Sequence, residues 1–421
     1  MENIEKNKTA YIASLIITTI VIGVAAGLGA DALGYILSFF ESLFLSFKES
    51  AELPVSIHIN PWQRFFSVFA GSIIAAIVWY FLHKKWHLTS VNEALEGKKM
   101  SFVGISLHDF IQTFYIGTGG SVGREAAPRE FAAMLAQKWL KLCTKFEKFK
   151  LTNDDYKLIL AAAAGAGLAG QYVAPLSGTF FALEILYKKV SRKSIAVCLS
   201  MSVIATLLGT LRDGFTPYYI ILHKNLSFNL VPFAIFLGIV LGYFGFVFRK
   251  YVAKAKKNRI EDRKILFTLP LAGLMTGAVA YFYPYIMGNG RGIAQMAYNT
   301  RYMSNEIVMA LLICLIAKAV VTTYTIYSGA YGGILTPSIS IGAAFGVLTG
   351  MIYVLIFPQI SLFECGLVGS VAFLTASQQA PLLAIFLVFE LCHLDVSALI
   401  PMSIAAGVSI CIGIILSKEI D

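Results

Sequence analysis

Apolar runs of about 20 residues, the length a helix needs to cross the hydrocarbon layer of a bilayer, recur along this chain from Thr9 to Ser417 with only short polar breaks. They leave room for roughly ten or more membrane segments and for no appended soluble regulatory domain. Of the 421 residues 57% are hydrophobic and 14% charged, and the mean hydropathy is +0.72. That much apolar side chain exceeds what a water-soluble core absorbs, so a soluble globule is excluded. Met1 to Lys8 are polar, and the apolar stretch after them is too long for the core of a signal peptide. It reads as a first membrane helix, and the chain as an all-α polytopic membrane protein.

The formal net charge of +10 is placed in a way that argues against nucleic acid as a partner. Basic residues collect between apolar segments: Lys138, Lys141, Lys145, Lys148 and Lys150, then Lys188, Lys189, Arg192 and Lys193, then a third group from Arg249 to Lys264. Short loops rich in Lys and Arg stay on the cytoplasmic side of a membrane. Glu41 to Glu52, with only Lys48 against its acidic residues, fits the opposite side. The lipid bilayer is therefore the partner the composition names. Cysteines and histidines are scattered singly, with no C-x-x-C pair and no histidine at ligand spacing. No metal and no cofactor is expected. A membrane-embedded enzyme would need a nucleophile with its base, or a metal cluster, within the apolar segments. The sequence offers no such pattern, so the chain is not expected to be an enzyme.

Two stretches echo one another. Ala174-Pro175-Leu176 stands ten residues ahead of Glu184, and Ala380-Pro381-Leu382 stands ten ahead of Glu390. In step with them, a glycine-rich run at 117–128 (GTGGSVGREAAP) pairs with one at 328–337 (SGAYGGILTP). Two co-ordinated matches argue for internal duplication, with a first membrane repeat over residues 1–225 and a second over 226–421. Carriers built from inverted repeats hold their substrate near the bilayer midplane, where the halves meet.

The glycine-rich runs carry the chemistry. Backbone that leaves helical geometry inside lipid must be buried in protein or face a water-filled cavity, because unsatisfied N–H and C=O groups cost several kcal/mol there. Gly117, Gly119, Gly120 and Gly123 mark one broken segment, and Gly329, Gly332 and Gly333 another. A proline follows each, then a helical pattern over 129–140 and over 338–352. Pro suits the first helical turn, where its missing N–H is no loss. The pattern predicts two half-helices that begin inside the membrane, each presenting orphan amides and the positive end of its dipole, an arrangement that binds anions. The same glycines would also serve simple close helix packing. Glu125 sharpens the first reading: a carboxylate at membrane depth costs about 2.5–3.5 kcal/mol on insertion scales, yet at a half-helix start it can occupy the anion's own place. Protonated, it loses that attraction and swings away. The alternative is a static ion pair with Arg124.

On these residues the chain resembles the chloride channel and chloride/proton antiporter (ClC) family. Gly123-Arg124-Glu125 is similar to the opening of that family's GREGP motif, Gly333-Ile334-Leu335-Thr336-Pro337 to its GIFAP motif, and the two A-P-L segments to the helices that follow them. The resemblance covers nearly the whole chain. It implies two inverted repeats of tilted and broken helices, a homodimer with one pore per subunit, and chloride, an inorganic anion, as substrate. Carried over by position, Glu125 matches the gating and proton-accepting glutamate. Anion contacts fall on Gly123, Arg124 and Ala126 and on Gly333, Ile334, Leu335 and Thr336, with the backbone amides of Ile334 and Leu335 matching anion ligands.

The departures bear on mechanism. GREGP becomes Gly123-Arg124-Glu125-Ala126-Ala127, with Pro128 one place late. The motif that supplies a pore serine has no clear counterpart; Thr89 or Ser90 stands where a hydroxyl would be needed. A lysine common in the family falls on His108, and the pore tyrosine falls beyond Asp421. The antiporters' internal proton glutamate, the residue after the position of Glu184, is here Ile185, which exchanges no protons. The resemblance therefore leans toward passive, channel-type chloride conduction, with a proton-coupled chloride or fluoride antiporter and an inverted-repeat carrier of a small organic anion as the competing readings. Short polar ends suit a multi-pass protein of a prokaryotic inner membrane.

Overall fold

A computed structural model describes residues 2–55, 57–146, 149 and 151–418. Lys148 and Lys150, from the first basic cluster, lie outside the described residues. Regular structure among the described residues is helical, and the one strand-like pairing is an isolated bridge between Gly123 and Gly333. The α-helices are α1 (Glu2–Leu45), α2 (Pro61–Lys85), α3 (Val91–Leu95), α4 (Phe102–Gly117), α5 (Ala126–Cys143), α6 (Asn153–Tyr172), α7 (Pro175–Phe180) and α8 (Arg192–Asp213), followed by α9 (Val231–Lys257), α10 (Ile265–Phe282), α11 (Arg291–Asn299), α12 (Asn305–Tyr327), α13 (Leu335–Tyr353), α14 (Leu362–Gln378), α15 (Pro381–Leu391) and α16 (Leu399–Lys418).

Eight of the described helices are long and apolar enough to cross a membrane. Apolar runs outnumber these spans because several are cut into pieces too short to cross, such as the 17 residues of α14 and the 11 of α15. Large apolar side chains stand on the outside, among them Phe39 at 59%, Leu211 at 68% and Ile352 at 68% exposure. Water would penalise such a surface; hydrocarbon does not.

The chain forms two compact units, interleaved along the sequence. One takes Met1–Tyr35, Lys84–Phe110 and Glu125–Phe215, the other Ile36–His83, Ile111–Arg124 and Thr216–Asp421. The core of the first is built from small side chains that let helices approach closely, such as Ala132, Ala136, Ala162 and Ala166 around Leu158 and Ile159.

The echo in the sequence has a local structural form. A capping box starts α6, with Thr152 N–H donating to the Asp155 carboxylate at 2.9 Å; another starts α14, with Ser361 N–H donating to Glu364 at 2.7 Å. Each helix then ends on a left-handed residue other than glycine, Val173 at φ 54° and Gln379 at φ 55°. That conformation is an outlier for a β-branched valine. After it, Ala174 and Ala380 leave helical geometry and Pro175 and Pro381 open α7 and α15. The halves then differ: α7 runs into a π-helical stretch, Phe181–Tyr187, whereas α15 stays α-helical to Leu391.

Candidate functional site

Both glycine-rich runs break their helices. The first leaves α4 at Gly117, and Gly119 takes φ +104° with Met287 and Val68 where a Cβ would stand. In the second, Gly329 takes φ +116°, with Ile265 and the Ile260 carbonyl in the same role. Only glycine adopts such backbone without strain. The two runs then meet: Gly123 N–H donates to Gly333 O and Gly333 N–H donates to Gly123 O, both at 2.8 Å. Satisfying these amides internally is what lipid demands of non-helical backbone. The second run is also tied to the basic connector before α10. Ile260 N–H donates to Tyr327 O at 3.0 Å, Tyr331 OH donates to Glu261 at 2.8 Å, and the Arg259 guanidinium lies 3.6 Å from the centre of the Tyr331 ring.

Helix α5 begins at Ala126 and α13 at Leu335, three residues ahead of the starts at 129 and 338 that the sequence suggests. Pro128 and Pro337 stand at the third helical position rather than the first. Nothing opposes this, since none of the first amides of a helix has an intrahelical acceptor. Ala126, Leu335 and Thr336 are buried, and Ile334, in non-helical geometry at φ −129°, is the N-cap of α13. Ser338 closes the first turn of α13, its hydroxyl donating to Ile334 O at 2.7 Å.

Glu125 is the N-cap of α5. It is fully buried and makes no side-chain cap hydrogen bond to its own helix. Tyr172 OH donates to its Oε2 at 3.3 Å, and Arg129 Nε donates to its carbonyl at 2.8 Å. A carboxylate buried at a helix start faces the positive end of that helix's dipole, which favours its charge. Arg124 has a carboxylate elsewhere: its Nη1 lies 3.0 Å from Glu49 Oε1.

Other sequence-derived positions have local roles. The Thr89 hydroxyl donates to Lys99 O at 3.0 Å; Ser90 is the N-cap of α3, its hydroxyl 3.0 Å from Glu93 Oε2. Burial alone would raise the Glu93 carboxyl, but Lys98, the Ser90 amide and His87 together hold it down at about 2. Ile185 lies half-buried in the π-helical stretch beside Glu184. Of the anion-site positions, the structure brings Gly123 and Gly333 into direct contact, while Thr89 and Ser90 bond to backbone and carboxylate of their own segment.

Three further features go beyond the sequence reading, which marks only His108 among their residues. Tyr172 is one. Lys318, fully buried on α12, is another: its Nζ donates to Ser121 Oγ at 2.9 Å, Ile286 O at 3.2 Å and Gly288 O at 2.6 Å. A lone lysine in an apolar span is expensive, and that cost is the signal by which it could be found. The third is a group with the composition of a cation or proton site. His108, Asp109 and Glu130 offer ligand atoms within 4.8 Å of one another, with His108 Nε2 3.3 Å from Glu130.

A polytopic helical membrane protein whose paired glycine loops lead into half-helix starts, one capped by a buried glutamate, belongs to the class of anion-handling transport proteins. The voltage gated chloride channel family matches residues 70–413, and the chain belongs to that family, as an integral, multi-pass membrane protein of anion transport. Over 389 residues it is 26% identical to the voltage-gated ClC-type chloride channel ClcB of Citrobacter koseri, covering 90% of each chain. Over 390 residues it is 26% identical to the protein of the same name from Salmonella typhimurium, again 90% of each. Among solved structures it is similar to a slow cyanobacterial chloride/proton antiporter, with a TM-score of 0.78, 20% identity and coverage of 96% of this chain and 95% of that one. It is also similar to a CLC-type fluoride/proton antiporter, with a TM-score of 0.66, 19% identity and 95% of each chain.

Proposed function

We propose that this chain conducts chloride passively across the inner membrane of a prokaryotic cell, with Glu125 as the gate. One observation carries the reading: a fully buried glutamate stands at the N-cap of α5, at the positive end of that helix's dipole. Ionised, it competes for the positive half-helix start; protonated, it yields the place to chloride. The backbone amides of Ile334 and Leu335, with Gly333 and Thr336, form the second half of the anion site, and Gly123, Arg124 and Ala126 the first. Two inverted repeats, 1–225 and 226–421, build the path, and two subunits assemble with one pore each. No cofactor takes part, and no reaction beyond transport is catalysed.

The leaning to passive conduction rests on Ile185, which cannot relay protons. Proton-coupled exchange remains the second reading because His108, Asp109 and Glu130 put titratable groups together on α4 and α5, and the structural relatives named above are antiporters. Purified chain in liposomes decides between them. A chloride gradient should drive chloride without stoichiometric proton uptake, and Glu125→Gln should conduct at all pH values. Proton pumping against its gradient would replace the channel reading by the exchanger, and an unchanged pH dependence in Glu125→Gln would remove Glu125 from gating.

A further inference from the structure

We propose that Glu49, on the connector between α1 and α2, is a positioning residue for Arg124 and sets the net charge beside the gate, so that its ionisation tunes both anion affinity and the pH at which the path opens. The pH arm rests on the reading of Glu125 as gate; the affinity arm does not.

Glu49 Oε1 is the meeting point of three donors. Arg124 Nη1 lies at 3.0 Å, Arg291 Nη1 at 2.8 Å and the Tyr218 hydroxyl at 3.3 Å. Both guanidinium groups also face the Tyr218 ring, Arg291 at 3.8 Å and Arg124 at 4.9 Å from its centre. Behind it, Asn289 Nδ2 donates to Tyr218 OH at 2.8 Å and Arg291 Nε to Tyr218 O at 3.0 Å. From α1, Glu41 Oε2 accepts the Glu49 amide at 2.9 Å. The charged and titratable groups facing Glu49 are thus Glu41, Arg124, Arg291 and Tyr218. The three ion-pair side chains are at most 11% exposed, so water screens them little. Burial pushes the Glu49 carboxyl up, but Arg124 and Arg291 overcome it and hold the group below its usual range.

Two cations around a shared carboxylate form a balance rather than a plain salt bridge. Arg124 adjoins Glu125 in the chain, so whatever charge Glu49 leaves uncancelled acts on the gate and on any anion there. Losing the carboxylate makes the cluster more positive; losing one guanidinium makes it more negative. Mere disruption of the fold would push both variants the same way, whereas charge control pushes them in opposite directions.

The test uses the full chain in liposomes, with Glu49→Gln, Arg291→Gln and Tyr218→Phe each made in the wild-type and in the Glu125→Gln background. In the Glu125→Gln background, Glu49→Gln should lower the half-saturating external chloride about two- to threefold, and Arg291→Gln should raise it by a similar factor. In the wild-type background the midpoint of pH-activated flux should move about half a unit toward acid for Glu49→Gln and toward alkali for Arg291→Gln. Tyr218→Phe keeps every charge and should leave both readouts within a fraction of these shifts. Same-sign shifts for the two charge variants, unmoved chloride saturation, or a Tyr218→Phe effect as large as Glu49→Gln would each overturn the proposal. A wild-type flux indifferent to pH would sink Glu125 as gate while the saturation measurement still judged Glu49.

Discussion

Gly123 and Gly333 exchange two backbone hydrogen bonds of 2.8 Å, the one strand-like contact among the described residues. Each lies two residues before the first position of interest on its side, Glu125 and Leu335. The pairing fixes the two glycine loops against each other in a region where loose backbone would have no water to bond with.

That pairing leaves no room for a side chain beside it. A Cβ at position 332 would stand 2.5 Å from Val122 Cβ and Cγ2. Gly332→Ala should therefore cost about 1–3 kcal/mol as an overpacked site. The measurable outcome is a lower thermal midpoint in detergent together with several-fold slower chloride flux. A variant that melts and conducts like the parent would show that the loops separate without consequence.

The Tyr172 hydroxyl donates to the Glu125 carboxylate, and its 3.3 Å length places it at the weak end for an O–H···O bond. A donor to an ionised group still favours that form, by up to about 1.5–3 kcal/mol in good geometry. Tyr172→Phe removes it, so on the reading of Glu125 as gate the carboxylate is held less firmly at the half-helix start and yields its place to chloride more readily. Chloride efflux from liposomes at a fixed pH should rise about two- to fivefold. An unmoved flux would mean that Tyr172 packs against Glu125 without holding it in place.

The breaks at 117–125 and 328–334 are legible in sequence because several glycines crowd into a few residues and a proline follows each run, whereas a glycine that only lets helices pack, such as Gly165 or Gly342, stands within a helical pattern. Helix starts are less so: a proline fits anywhere in the first turn, so Pro128 and Pro337 locate α5 and α13 only to within a turn. Ser90 followed by Glu93 is the S-x-x-E pattern of a capping box, and it makes Ser90 an N-cap as plainly as a pore hydroxyl. What sequence does not carry is distance between remote groups. Lys318 is visible as a lone cation in an apolar span, but its acceptors come from Ser121, 197 residues away, and from Gly288. Likewise, His108, Asp109 and Glu130 follow no metal-motif spacing, and only the contact of α4 with α5 assembles them.

Lys318 holds the first glycine loop to the segment before α11 through three bonds, and it also adds a positive charge in a poorly screened setting. Lys318→Met matches its length but removes charge and donors, leaving the Ile286 and Gly288 carbonyls to lose their partner at about 1–3 kcal/mol each. Removing a buried charge refunds part of this. The expected result is a protein that still folds, melts lower, and needs several-fold more chloride to half-saturate. Saturation at the parental concentration would assign Lys318 to the scaffold alone.

Glu93 gives the pH dependence its clearest sign outside the spans. Its carboxyl, held at about 2 in the folded chain against an ordinary value of 4.5, accepts from the Ser90 amide at 2.9 Å and from Lys98 at 2.6 Å. A group whose folded value is depressed contributes stability that is complete above its ordinary value and fades as pH falls through the folded one. The α3 cap should therefore be at full strength at neutral pH and weaken between about pH 5 and pH 2. Glu93→Gln keeps the shape but loses the charge, so it should destabilise by about 1 kcal/mol at pH 7, with the gap to wild type narrowing by pH 3. Thermal unfolding in detergent at the two pH values reads this directly. A gap that stays constant or widens on acidification would mean that Glu93 acts through packing and not through its ionised carboxylate.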